Sequence, residues 1–160
     1  MKHSVFVTCP RGLEEVTSKE ISSLLNTESD ADSGGVHLKA SLNEIYKLNI
    51  SLRTAMHVLE EVCTFNASTI DQIYEQVISF SWSEIIALDK TFSIRTRVNS
   101  KQIRKNNFLT LRIKDAIVDR IHKDRGRRPF VNKENPDFPL FIFIRDEKVS
   151  IYKDTSGLPL

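Results

Sequence analysis

Carboxylates, histidines and cysteines most often carry chemistry, and in this chain their spacing supports little of it. Glu14-Glu15 and Glu60-Glu61 are sequence neighbours, so on a helix or strand they diverge instead of converging on one substrate atom. Asp115 and Asp119 stand one helical turn apart beside Lys114, Arg120 and Lys123, which fits intrahelical charge pairing better than magnesium binding. Cys9 and Cys63 form no CxxC pair, and His3, His37, His57 and His122 lack metal-ligand spacing. No Ser/His/Asp or Cys/His set can be nominated from the residue order. The cations say more. Arg95 to Lys133 carries 13 Lys or Arg against three Asp, a local charge of +10, while residues 1–94 carry −6 and residues 134–160 carry −2. A net charge of +2 therefore conceals a steeply polarised chain. A concentrated basic segment is what a polyanion-binding surface requires, because each neutralised phosphate releases condensed counterions. A solvated basic helix would have the same composition.

Within that segment the candidate contacts are Arg97 at a strand end, Asn99 and Lys101 in a loop, and Arg104, Lys105 and Asn106 at a helix entrance, with Arg127, Arg128 and Lys133 beyond the helix. They are expected to form one patch, and the helix start adds backbone N–H groups that favour phosphate. Arginine suits forked phosphate contacts and stacking on bases better than lysine does. Aromatic residues beside these cations are few, Phe108 and Phe130. Recognition of RNA backbone and shape, or of a single-stranded end, is expected over base-by-base stacking.

The elements that must position these groups read as two successive patterns. In the first, Val5–Thr8 is a strand closed by Cys9-Pro10 and Gly12. A helix follows from Leu13, with Pro10 in its first turn and Leu13, Val16, Ile21 and Leu24/Leu25 on its apolar face. Asn26–Ser33 holds a short strand at most, and Gly34-Gly35 turns into the strand Val36–Lys39. Ser41, with Glu44 as a capping box, starts a helix whose apolar face is Leu42, Ile45, Leu48 and Leu52. Met56–Phe65 is the last strand. The order β-α-β-β-α-β is the ferredoxin-like motif, with first and last strands adjacent and antiparallel. That places Cys9 and Cys63 at opposite ends, which speaks against a disulfide.

The second pattern begins at Ser68 or Thr69, which cap a helix with Ile70, Ile73, Tyr74, Val77 and Phe80 at helical spacing. Ser81–Ile86 is a short second helix, and Trp82 its core anchor. In Lys90–Val98, Phe92, Ile94, Thr96 and Val98 alternate with Ser93, Arg95 and Arg97, so a half-buried strand with a basic outer face is predicted. A helix over 107–123 ends at Gly126 and Pro129. Strands at 140–144 and 149–152, joined by Arg145-Asp146-Glu147-Lys148, complete an α-α-β-α-β-β order.

That order, with a basic strand–loop–helix at its centre, resembles a THUMP domain, an RNA-binding module of RNA-modifying enzymes. The segments "CPRGLEE" (9–15), "GGVHLK" (34–39), "IRKNN" (103–107), "KDAIVDRI" (114–121) and "RPFVN" (128–132) are together similar to the amino-terminal part of bacterial guanine-N2 RNA methyltransferases. Automated naming often labels that group adenine-specific DNA methylases. The resemblance implies an α+β fold. It implies a ferredoxin-like domain over 1–66, a THUMP domain over 67–154 and, at 155–160, the start of a linker to an absent methyltransferase domain. It also implies a full-length parent that uses S-adenosylmethionine, with no cofactor in this fragment. The chain has no GxGxG strand-to-helix loop and no Asn-Pro-Pro or Asp-Pro-Pro motif, so the fragment itself is not expected to be an enzyme.

The leading expectation is therefore a substrate-positioning fragment that binds structured RNA, ribosomal or alternatively transfer RNA, on behalf of its own carboxy-terminal catalytic domain. A protein-interaction module without RNA binding is the reading from another class, and a nuclease or phosphatase, lacking metal ligands, is a distant third. No apolar run approaches the roughly 18 residues of a membrane span, and the amino terminus has no signal-peptide core. With its cysteine usage, the chain is expected in the cytoplasm.

Overall fold

The computed structural model describes residues 1–104 and 107–156. They fall into two compact units whose boundaries lie between Glu61 and Val62 and between Ile151 and Tyr152. The expected element orders are both present.

In the first unit the strands are β1 (His3–Thr8), β2 (Ser29–Asp32), β3 (Gly35–Ala40) and β4 (His57–Asn66), and the helices are α1 (Glu14–Leu25) and α2 (Leu42–Ser51). The sheet order is β2-β3-β1-β4, with β1 antiparallel to both neighbours. Val5 and Val7 of β1 send their side chains into a core shared with Val36, Leu38, Ile45, Leu48 and Val58. Gly34, at φ +80°, makes the turn into β3, and Gly35 packs where a Cβ would lie 2.4 Å from the Val7 carbonyl oxygen. The capping box is formed: Glu44 Oε2 accepts from the Ser41 backbone N–H at 2.6 Å, and Ser41 Oγ accepts from the Glu44 N–H at 3.3 Å.

Three details differ from expectation. Pro10 lies outside α1, its carbonyl accepting from the Leu13 N–H in a preceding turn. Val16 is 49% exposed and Leu13 is exposed, because the core-facing stripe of α1 is carried by Thr17, Ile21 and Leu24. Leu42 is 50% exposed because it sits in the first turn of α2, before the helix reaches the sheet.

The second unit contains α3 (Ile70–Ile78), α4 (Trp82–Ile85), β5 (Phe92–Asn99), α5 (Asn107–Arg125), β6 (Phe138–Arg145) and β7 (Lys148–Asp154), with sheet order β7-β6-β5 and β5 parallel to β6. The boundary at Tyr152 falls inside β7, and that at Val62 inside β4. Trp82 is fully buried and its indole N–H donates to the Val77 carbonyl at 2.7 Å, so it is a core anchor with its polar atom satisfied. Ile73, Val77, Leu109, Ile113, Ile117 and Ile121 pack with Leu140, Ile142 and Ile144 in one core. Gly126, at φ +74°, donates its N–H to the His122 carbonyl and ends α5 as a left-handed cap. Cys9 and Cys63 are buried free thiols. Among the described residues no helix is long and apolar enough to cross a membrane.

Candidate nucleic-acid interface

Strand β5 distributes its side chains by simple alternation. Phe92, Ile94, Thr96 and Val98 turn toward α5, and the hydroxyls of Thr96 and Thr110 lie 3.1 Å apart, tying strand to helix. Arg95 and Arg97 stand exposed on the opposite face. At the strand's end Asn99 is exposed, its carbonyl accepting from the Asp146 N–H.

The loop that follows is pinned from inside. Ser100 Oγ accepts from the backbone N–H groups of Gln102 and Ile103, at 3.2 Å each, and Ile103 is buried in the core. A short loop with one inward anchor must show its other side chains to water. Lys101, Gln102 and Arg104 are accordingly exposed. Lys105 and Asn106, also expected in the patch, lie outside the described residues. Helix α5 starts at Asn107, and no acidic residue occupies its first turn to counter a phosphate there.

The return from α5 is positioned by backbone pairing. The Phe92 N–H donates to the Phe130 carbonyl at 3.2 Å, and the Asn132 N–H donates to the Phe92 carbonyl at 3.0 Å. Residues 130–132 thus run along the outer edge of β5 and bring Lys133 back toward α5. A pocket of about 330 Å³ lies between them, lined by Ile94, Val131 and Leu111, by Asn107 and Thr110, and by Lys114 and Lys133. An apolar floor with two ammonium groups can take a nucleotide, base or sugar inward and phosphate outward. Phe108 and Phe130 are exposed nearby in sequence.

The expected single patch is arranged as two clusters. Arg97, Asn99, Lys101 and Arg104 gather at the start of α5, with Lys133 on the pocket rim. Arg127 and Arg128 follow the other end of a 19-residue helix, roughly 27 Å away at about 1.5 Å per residue. Arg128 lies 3.8 Å from Asp119.

What separates binding cations from structural ones is the placement of carboxylates. Arg120 donates to Asp124 Oδ2 at 2.8 Å and to the Ile78 carbonyl at 2.9 Å, locking α5 to α3. Arg112 lies 3.9 Å over the Tyr74 ring and 3.8 Å from Asp71. Asp115 pairs with Lys114 within the helix. Asp119 does not pair within the helix as expected: it takes the Tyr74 hydroxyl at 3.0 Å and faces Arg128, because its side chain points at α3 and the returning loop. Burial, helped by Asp119, pushes the Tyr74 phenol above its ordinary pKa. Hydrogen bonds from Arg120 and then Ser83 hold Asp124 below the usual carboxylate range. All three aspartates of the basic segment are thereby engaged along α5. Arg95, Arg97, Lys101, Arg104, Arg127 and Lys133 have no carboxylate within ion-pair distance among the described residues.

Thr110 and Lys114, the latter also paired with Asp115, line the pocket and were missed by the sequence reading. Their spacing from Asn107 follows one helix face, which is the signal that could have found them. Among the described residues no group of His, Cys, Asp and Glu is placed to hold a metal ion. The Gly34-Gly35 pair enters a strand, and the space a cofactor would need beside Gly35 is filled by Val7 and Phe6. Gly34-Gly35 therefore does not form a glycine-rich cofactor loop.

Residues 67–154 match the THUMP domain model, so this chain belongs to the THUMP-domain family. Residues 4–59 match the RlmL ferredoxin-like domain, the partner that gives the module its particular character. Among curated relatives, "Ribosomal RNA large subunit methyltransferase K/L" of Psychrobacter sp. PRwf-1 is 32% identical over 99% of this chain and 20% of its own length. The protein of the same name from Acinetobacter baylyi is 31% identical over 95% of the chain and 22% of its own length. The chain thus spans about a fifth of the length of the relatives it matches. Among solved structures, a predicted N6-adenine-specific DNA methylase from Listeria monocytogenes is 25% identical with a TM-score of 0.86, over 99% of this chain and 42% of that one. A possible methylase from Clostridium difficile is likewise 25% identical, with a TM-score of 0.87 and the same coverage. This chain is a ferredoxin-like and THUMP module of the kind those methyltransferases carry.

Proposed function

We propose that this chain is the RNA-binding, substrate-positioning module of a SAM-dependent methyltransferase that modifies N2 of a guanine in 23S rRNA. It acts in the cytoplasm, and a catalytic domain of the full-length protein holds the cofactor. The observation that carries the reading is that Arg97, Lys101 and Arg104, at the β5–α5 loop, have no carboxylate within ion-pair distance among the described residues, while the aspartates of α5 are engaged elsewhere. Such cations capture the sugar–phosphate backbone and fix the register of a structured RNA. The module's own residues bind and orient the RNA. The names of the curated relatives support ribosomal over transfer RNA.

The test is a competition at about 50 mM salt, where phosphate contacts are strongest, between fragments of 23S rRNA and total tRNA. Preferential retention of one rRNA fragment is the expected result. Preference for tRNA overturns the rRNA assignment in favour of a tRNA methyltransferase. Indifference to both RNAs, with tight self-association, overturns RNA binding in favour of a protein-interaction module.

A further inference from the structure

Strand β6 is apolar from Phe138 to Ile144, and its two faces have different fates. Leu140, Ile142 and Ile144 are buried in the core with α3 and α5. Phe141 and Phe143 alternate with them, belong to neither core cluster and remain partly exposed. Their rings stack, with centroids 4.6 Å apart and planes inclined by 24°. The parallel register sets Arg95 beside Phe141 and Arg97 beside Phe143, on the face turned away from α5. Both arginines are exposed, without an ion-pair partner among the described residues. A groove of about 490 Å³ follows the edge of β5, lined on one side by Ile94, Thr96 and Thr110 and on the other by Arg95, Arg97 and Phe141, so it reaches the rim of this face.

Stacked phenylalanines beside unpaired arginines select the chemistry of their occupant. A purely apolar partner would leave two guanidiniums desolvated against it. A second copy of this face would set arginines against arginines. Unpaired nucleotides satisfy both halves: every base has a π-face for a ring, and every linkage has a phosphate for a guanidinium fork. We propose that the Phe141–Phe143 face, flanked by Arg95 and Arg97, is a stacking platform for single-stranded nucleotides. It rests on the RNA-binding reading and deepens it: the loop cations hold backbone of any form, whereas this face takes only bases free to leave their helix.

The experiment measures binding of the whole chain to a fluorescent eight-nucleotide single-stranded RNA and to a blunt RNA duplex. It uses wild type, Phe141→Leu/Phe143→Leu, Arg95→Gln/Arg97→Gln and Lys101→Gln/Arg104→Gln. Leucine keeps the face apolar and spares the buried side of β6; circular dichroism and sedimentation check fold and mass. The phenylalanine variant is expected to lose about 5- to 100-fold on the single strand, in line with the usual worth of a stacked base, with its salt slope and duplex binding unchanged. The Arg95/Arg97 variant should lose affinity and also about 1.4 units of salt slope on the single strand. If the phenylalanine variant binds the single strand as wild type does while Lys101→Gln/Arg104→Gln weakens it, the platform is refuted and the RNA-binding reading survives. If wild type binds neither RNA, both fall. If the phenylalanine variant alone changes the mass in sedimentation, the face is a contact between copies and the platform is refuted.

Discussion

The two units use charged side chains in opposite ways. In the first, carboxylates complete the backbone. Glu14 accepts from the N–H groups of Gly12 and Gly34, and Glu20 accepts from the N–H groups of Arg53 and Thr54 and from the Thr54 hydroxyl. Glu44 closes the capping box, and Asp154 lies 2.8 Å from the His57 ring. In the second unit the three aspartates of α5 are engaged by neighbouring side chains, Asp137 accepts from the N–H and hydroxyl of Thr91, and Arg97, Lys101 and Arg104 have no carboxylate within ion-pair distance among the described residues. Similar mixtures of strands and helices thus give one unit whose carboxylates complete its own backbone and one that clusters cations at a loop and leaves them for a partner. The difference lies in where carboxylates fall, and net charge alone does not reveal it.

Five substitutions test this contrast, taken from the largest effect down. Trp82→Ala empties the core of the second unit and leaves the Val77 carbonyl without its indole partner; a loss of about 3–5 kcal/mol is expected in denaturant titration, and RNA binding should disappear with the fold. Gly35→Ala in the first unit forces a methyl against the Val7 carbonyl. It should cost about 1–3 kcal/mol while the folded fraction keeps wild-type RNA affinity. A loss of affinity there would break the division of labour.

Arg120→Gln and Arg104→Gln separate a paired cation from an unpaired one. The first should lower stability by about 1 kcal/mol, the pair being partly exposed, with little change in RNA affinity. The second should leave the denaturation midpoint unchanged and weaken RNA. Equal behaviour in both assays would contradict the distinction between structural and binding cations. The smallest effect concerns acid. Burial raises the Glu20 pKa, but hydrogen bonds from Thr54 and Arg53 outweigh it and hold the group below its ordinary value. A lowered folded-state pKa gives stability that is present above the unfolded carboxylate range and lost as pH falls through the folded value. Glu20→Gln should therefore flatten the acid limb of a midpoint-against-pH curve, and an unaltered limb would show that Glu20 contributes nothing there.

Much of this architecture was legible because local chemistry and global fold agree. Ser41 and Glu44 announced a capping box that formed, Gly126 marked a helix end that is there, and the alternation from Phe92 to Val98 placed Arg95 and Arg97 outward correctly, although Ser93, read as outward with them, is buried. Val16 was misplaced because the buried stripe runs through its neighbour Thr17, a residue that does not read as core, and Leu42 because helical periodicity does not say how far along its length a helix touches the sheet. The stacked pair on β6 was hidden for a different reason. In Leu140–Ile144 every residue is apolar, so no alternation distinguishes the buried face from the open one; only the positions of α3 and α5 do. The same holds for Arg127 and Arg128. They are close to Arg104 in composition, but a whole helix lies between.

The central claim, that unpaired cations at the β5–α5 loop bind RNA, is tested most directly by the salt dependence of affinity. Wild type is compared with Arg97→Gln/Lys101→Gln/Arg104→Gln/Lys133→Gln and with a control carrying Lys19→Gln/Lys39→Gln/Lys47→Gln/Arg53→Gln in the first unit. The slope of log K against log salt should fall by roughly three units in the first variant, at about 0.7–0.9 per phosphate contact, and stay at the wild-type value in the control. A slope unchanged in the first variant, or lowered equally in both, would contradict it.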